Sequence, residues 1–291
     1  MGINFSQITK AQPVLLSKIK GKKVAVSTYT ELMHVLQSAQ AQKTPHAHVK
    51  GLFDRAIALV QAQVKPVFVF SGTFPEIRRH QRITNDVPPP RVTNLITREM
   101  VDDIKLLLTL MGFPIVQAPS EDEAQSAHLC QKDEVWAVIS EGSDSLLYGS
   151  PRAVLGLTTS KPKKGKKDTQ FPGAQLLEAS DLQTELGIDA DQLLVLGMIL
   201  GTRFNPAIVG ISPKHAVELV RKWKDFGKLF KYAGWNYAYT WKEVYDCIKT
   251  LPVTNKYKLK WNPPRTDHLT EFLLSKGMSK KKIEENLELL K

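Results

Sequence analysis

Apolar runs alternate with helical periodicity over roughly the first half of the chain. Lys23-Val24-Ala25-Val26, just after Gly21, reads as a short strand. Residues 29–42 predict a helix with Leu32, Val35, Leu36 and Ala39 on one face, and residues 50–63 a second with Leu52, Phe53, Ile57 and Val60. Pro66-Val67-Phe68-Val69-Phe70 is apolar throughout, as expected of a strand buried on both faces. Residues 77–91 end in three prolines and read as a loop. A helix over 97–111 carries Ile104, Leu107, Leu108 and Met111, and Phe113-Pro114-Ile115-Val116 is a third strand. Residues 120–131 form a helix and 135–139 a fourth strand. Strands alternating with helices imply an α/β fold: a twisted, mainly parallel sheet flanked by helices. Ligands bind beyond the carboxyl ends of strands in such sheets, which draws attention to Ser27, Ser71, Ser120 to Glu123, and Ser140 to Asp144. After Pro172 the pattern turns helical, with one or two helices over 181–200 and another ending near Trp223. The expected organisation is an α/β domain over 1–200 and a helical region over 201–291 that packs back on it.

Charge adds a candidate partner. The 291 residues carry 40 Lys and Arg against 29 Asp and Glu, a formal net charge of +11, which suits a polyanion such as nucleic acid. Cys130 and Cys247 have no paired spacing, so neither a disulfide framework nor a zinc site is expected. No apolar run approaches 18 residues, and no membrane partner is expected. Met1-Gly2-Ile3-Asn4-Phe5-Ser6 fits the loose myristoylation pattern, one too short to outweigh this.

Acids crowd behind two successive strands: Glu121, Asp122 and Glu123, then Glu141 and Asp144. Converging carboxylates suit hard divalent cations and two-metal phosphodiester hydrolysis. Ser120-Glu121-Asp122-Glu123 also fits a helix capping box, with Ser120 as N-cap.

Six collinear blocks resemble the flap endonucleases of the XPG nuclease family. They are Gly21-Lys22-Lys23-Val24-Ala25-Val26, Lys65-Pro66-Val67-Phe68-Val69-Phe70, Leu110-Met111-Gly112-Phe113-Pro114, Ala118-Pro119-Ser120-Glu121 with Glu123-Ala124-Gln125, Asp144-Ser145-Leu146-Leu147-Tyr148-Gly149, and Gly210-Ile211-Ser212-Pro213-Lys214. Gly201-Thr202 with Phe204-Asn205-Pro206, and Pro252-Val253-Thr254-Asn255, are similar to the archaeal members. The resemblance implies a PIN-like, 5′-nuclease fold with a helix–hairpin–helix-type module that grips duplex DNA. It also implies Mg2+-dependent cleavage of 5′-flaps by seven carboxylates around two metal ions.

The sequence departs from that pattern. Ser27 and Ser71 stand at Asp positions after the first two strands, Gly142 at the first Asp after the fourth strand, and Arg203 at the last Asp. Glu121, Glu123 and Asp144 are retained, three of the seven acids that the resemblance implies. Ser and Gly supply no anionic oxygen, and Arg203 brings a permanent positive charge. The two-metal site is therefore expected to be lost, leaving at most one weakly bound divalent ion, with Arg203 pairing with Glu121, Glu123 or Asp144. Arg78 stands near the family's phosphate-polarising Lys. Only residues 79–91 remain for the arch and 37–48 for the wedge, and Met33 replaces a base-stacking aromatic. The sliding-clamp-binding tail of the family is not seen.

The hairpin motif largely survives. Ser212 is a good N-cap and Pro213 a good first helical residue, so the exposed N–H groups, Gly210, Lys214 and His215 can meet a phosphate. Arg221 and Lys222 extend the basic run, and Lys163 and Lys164 sit in a lysine-rich loop over 160–167 that is similar to the basic loop of archaeal members and also resembles a nuclear localisation signal. The expected protein is an inactive flap-endonuclease homologue that binds duplex or branched DNA, or structured RNA, without sequence preference. A weak Mg2+-dependent nuclease and a scaffold that kept the fold are the alternatives. The expected location is the cytoplasm with the nucleoid for an archaeal source, or the nucleus for a eukaryotic one.

Overall fold

The computed structural model describes residues 5, 8–38, 43–79, 96–165 and 167–290. The chain runs β1 (Gln12–Leu15), α1 (Leu16–Ile19), β2 (Lys23–Ser27), α2 (Thr28–Gln37), α3 (Ala47–Gln61), β3 (Lys65–Phe70), α4 (Arg98–Leu110), β4 (Ile115–Gln117), α5 (Asp122–Gln131), β5 (Ala137–Ser140), α6 (Asp144–Leu147), β6 (Arg152–Leu155), β7 (Lys163–Lys164) and β8 (Thr169–Glu178). Seven α-helices follow among the described residues: α7 (Ala179–Leu186), α8 (Ala190–Leu200), α9 (Pro213–Lys222), α10 (Phe226–Ala233), α11 (Trp241–Lys249), α12 (Thr266–Ser275) and α13 (Lys280–Leu287).

The sheet order is β1-β8-β6-β5-β2-β3-β4, with β7 on β8. Its five central strands, β6-β5-β2-β3-β4, pair in parallel. The β8 strand runs antiparallel to β6, β1 and β7, so the sheet is mixed. The periodicity reading misses β1, β6, β7 and β8. Pro172 and Gly173 in β8 look like turn residues, and β7 is two exposed lysines within the stretch read as a loop. The predicted arch segment lies outside the described residues apart from Arg79, as does part of the wedge segment.

Both sheet faces are covered. On one face α2, α3 and α4 form a core with β3 that the returning α12 and α13 complete, bringing Leu269, Leu273 and Ile283 against Leu52, Phe53 and Leu107. On the other face α5 and an extended strap, residues 251–265, cover Val67, Val69, Val116 and Val138. Tyr257, Leu259 and Trp261 of the strap alternate inward while Lys256, Lys258 and Lys260 are exposed, the period of extended chain over an apolar surface. The Trp261 Nε1–H donates to the Pro66 carbonyl at 2.9 Å, and the Asn262 N–H to the Gly112 carbonyl at 2.9 Å. Gly112 has φ 84°, and a Cβ there would stand 2.0 Å from the Asn262 carbonyl oxygen, so a glycine is required. A third cluster joins α6 to α11, with Leu193, Val195 and Leu196 of α8 against Ala216 and Val220 of α9 and Phe230 of α10. The 200/201 division expected from sequence falls inside that cluster. Among the described residues, no helix is long and apolar enough to cross a membrane.

Candidate functional site

The central strand β2 has β3 on one side and β5 on the other, so the connections leave its carboxyl end in opposite directions. That crevice is where a parallel sheet presents a ligand site. The end of β2 delivers Ser27, the start of α5 delivers Glu121, Asp122 and Glu123, the end of β5 delivers Ser140, and α6 delivers Asp144. Their side chains are almost fully buried. The turn before α8's partner helix α9 inserts Arg203, and a helical turn at 76–79 inserts Arg78.

Arg203 lies among the acids. Its Nη2 donates to Glu123 Oε1 at 2.7 Å and to Thr30 Oγ1 at 2.8 Å, and its Nε donates to Asp144 Oδ2 at 3.1 Å. Its Nη1 stands 3.9 Å from Glu121 Oε2 and 4.0 Å from Asp122 Oδ1. Arg78 donates to Glu121 Oε2, and its guanidinium lies 3.8 Å over the Phe74 ring. Burial pushes Glu123 up to about 7, against the opposing pull of Arg203 and with a further push from Asp144. Burial also works against the charge on Arg203, but Glu123, Asp144 and Asp122 outweigh it and hold the guanidinium more firmly protonated than usual.

Serines knit the rest. The Ser27 hydroxyl donates to Asp122 Oδ2 at 2.7 Å, which also accepts the Tyr29 N–H at 3.0 Å. The Ser140 hydroxyl donates to Glu123 Oε1 at 2.7 Å, and the Gly142 N–H donates to Ser140 Oγ at 3.3 Å. Ser71 is half-buried at the end of β3; its Oγ has no hydrogen-bond partner, nor have Glu121 Oε1 and Glu123 Oε2.

The expected capping box does not form. Helix α5 starts at Asp122 with Glu121 as N-cap and no side-chain cap bond, and Ser120 Oγ is buried without a partner. The reason is competition: Glu123, which would close the box, is held by Arg203, Ser140 and Thr30.

Beside this pocket lies a second ionic cluster that sequence reasoning missed. Arg55 of α3 donates to Glu31 of α2, to Glu141 at 3.2 Å and to Thr158 at 2.8 Å. Burial pushes Glu31 up to about 7, with Arg55 opposing. The signal was present: Arg55 falls on the apolar face of α3 between Leu52 and Leu59, and Glu31 adjoins Leu32, so each charge sits at a position the periodicity buries.

The basic candidates divide. Ser212 caps α9 by accepting the His215 N–H at 3.3 Å, with Pro213 in the first turn. Gly210 has φ 85° and open space where a Cβ would project, and Val209 beside it is 96% exposed. Lys214, His215 and Lys222 are exposed, as are Lys163 and Lys164 on β7. Arg221 is exposed, and its guanidinium also donates to the carbonyls of Leu186 and, at 3.3 Å, Glu185, at the end of α7. Carbonyls left open at a helix terminus attract such a cation.

Comparison with known proteins agrees with the architecture. The family models for the XPG N-terminal domain and the XPG I-region match residues 1–85 and 112–202. Flap endonuclease 1 of Hyperthermus butylicus is 33% identical over 330 residues, covering 100% of this chain and 94% of the relative. Flap endonuclease 1 of Pyrococcus abyssi is 33% identical over 326 residues, with 100% and 94% covered. Flap endonuclease-1 from Methanococcus jannaschii superimposes with a TM-score of 0.81 at 26% identity, covering 99% of this chain and 98% of that one. The catalytic core of Rad2 in complex with DNA substrate shares the fold, with a TM-score of 0.79 at 22% identity over the full length of both chains.

Proposed function

The chain belongs to the XPG nuclease family, with the flap endonucleases as its relatives, and from that premise we propose that it is a non-cleaving member that binds duplex or branched DNA independently of sequence. The observation that carries this reading is the guanidinium of Arg203, 2.7 Å from Glu123 and 3.1 Å from Asp144. A hard dication needs several anionic oxygens at close range. Asp144 Oδ2, Glu123 Oε1 and Glu121 Oε2 are already bonded to Arg203 and Arg78, whose charges repel a dication approaching the remaining oxygens. The residues present therefore do not fit a pair of Mg2+ ions, and no hydrolytic step is derived for this site. A role in DNA replication or repair follows for a protein that occupies such junctions without cutting them.

Support for binding comes from α9. Its capped, exposed N-terminus, with Gly210 before it and Lys214 on it, offers N–H groups and a cation to a backbone phosphate. Such contacts position a duplex without reading its bases, and structured RNA presents the same phosphates.

The test is one labelled 5′-flap DNA incubated with Mg2+ and then Mn2+ across a salt series. The expected result is retention without cleavage, with log affinity falling by about 0.9 per neutralised phosphate per log unit of salt. Cleavage that disappears in Glu121→Gln would make the protein a weak nuclease instead. Neither binding nor cleavage would make it a scaffold.

A further inference from the structure

Away from the acidic pocket, three metal-ligating side chains converge across the first turn of α3 and the middle of α4. They are His46, His48 and Asp103, whose ligand atoms all lie within 4.8 Å of one another. His46 precedes α3 with φ 53°, a left-handed conformation uncommon outside glycine. His48 is buried and Asp103 half-buried, with His48 Nε2 3.0 Å from Asp103 Oδ2. Two ligand atoms bound to tetrahedral zinc at about 2.1 Å stand about 3.4 Å apart. The His48–Asp103 pair is already near that spacing, and the exposed His46 needs to close by at most about 1.4 Å.

Asp103 Oδ2 also accepts the Lys276 ammonium at 2.7 Å, a single competitor on one half-buried carboxylate that a bound dication must displace. Two imidazoles and one carboxylate suit a borderline transition metal, whereas Mg2+ takes oxygen ligands. The exposure of His46 leaves a fourth position to water.

We propose that His46, His48 and Asp103 form a three-ligand site for Zn2+ that ties the start of α3 to α4. The His-x-His spacing alone gives no such hint, because its carboxylate lies 55 residues from His48. Calorimetric titration of the whole protein with ZnCl2 tests the assignment. One equivalent is expected in the native chain, with a rise in thermal midpoint. The exposed His46→Ala is expected to lose that equivalent while keeping the native midpoint without metal. Lys276→Met, which removes the competing ammonium, is expected to bind more tightly. Zinc uptake unchanged by His46→Ala and by Asp103→Asn, or no uptake by the native chain, would overturn the proposal.

Discussion

At the scale of single residues, Arg203 and Glu123 decide the character of the acidic pocket. A carboxylate buried among Glu121, Asp122 and Asp144 is tolerable only because two guanidinium groups reach into the same space. Removing one partner of a buried ion pair strands the other, at a cost of about 3–5 kcal/mol. Arg203→Ala is therefore expected to lower unfolding stability by about that amount in a denaturant titration; a loss below about 1 kcal/mol, the range of surface ion pairs, would show that Arg203 is not the counter-charge. Titration gives a second expectation. Glu31 and Glu123 sit near 7 in the folded chain against 4.5 as ordinary side chains. Between those values the folded state keeps protons that the unfolded state has released. Their contribution is complete below pH 4.5 and is lost as pH rises through 7. For Glu31 alone the fall is on the order of 3 kcal/mol. Glu31→Gln should flatten the pH dependence of the thermal midpoint between pH 5 and 7, and an unchanged slope would reject the assignment.

At the scale of elements, α9 shows how a short motif becomes a surface. Ser212 and Pro213 set the start of the helix, Ala216, Leu219 and Val220 bury one side, and Lys214 and Lys222 stay in water. Arg221 also reaches back to the end of α7, tying the far end of this helix to its neighbour. Lys214→Ala should weaken duplex binding equally for all sequences and reduce the salt slope by about 0.9. Ser212→Ala should cost about 1 kcal/mol of stability through the lost cap. A Lys214→Ala variant with the native salt slope would remove this helix from the interface. The strap at 251–265 teaches the opposite lesson. Its alternation is visible in sequence, yet only the paired sheet shows that Tyr257, Leu259 and Trp261 cover the face opposite α3.

At the scale of the whole molecule, a net charge of +11 coexists with a pocket of buried acids that is held together by Arg203 and Arg78. Apolar periodicity by itself determined the parallel centre of the sheet and the helices around it, because each burial pattern repeats locally. Residue identity, set beside the family resemblance, marked Ser27, Ser71, Gly142 and Arg203 as positions where that resemblance implies acids. The antiparallel part of the sheet was not legible: β8 runs against β1, β6 and β7, and pairing partners leave no mark in either strand alone. The same holds for the ionic network of Glu31, Arg55, Glu141 and Thr158, and for the convergence of His46 and His48 with Asp103. Whether a charge is paired depends on a neighbour brought by another element. Sequence therefore determined which groups the site holds, and tertiary structure decided which of them touch.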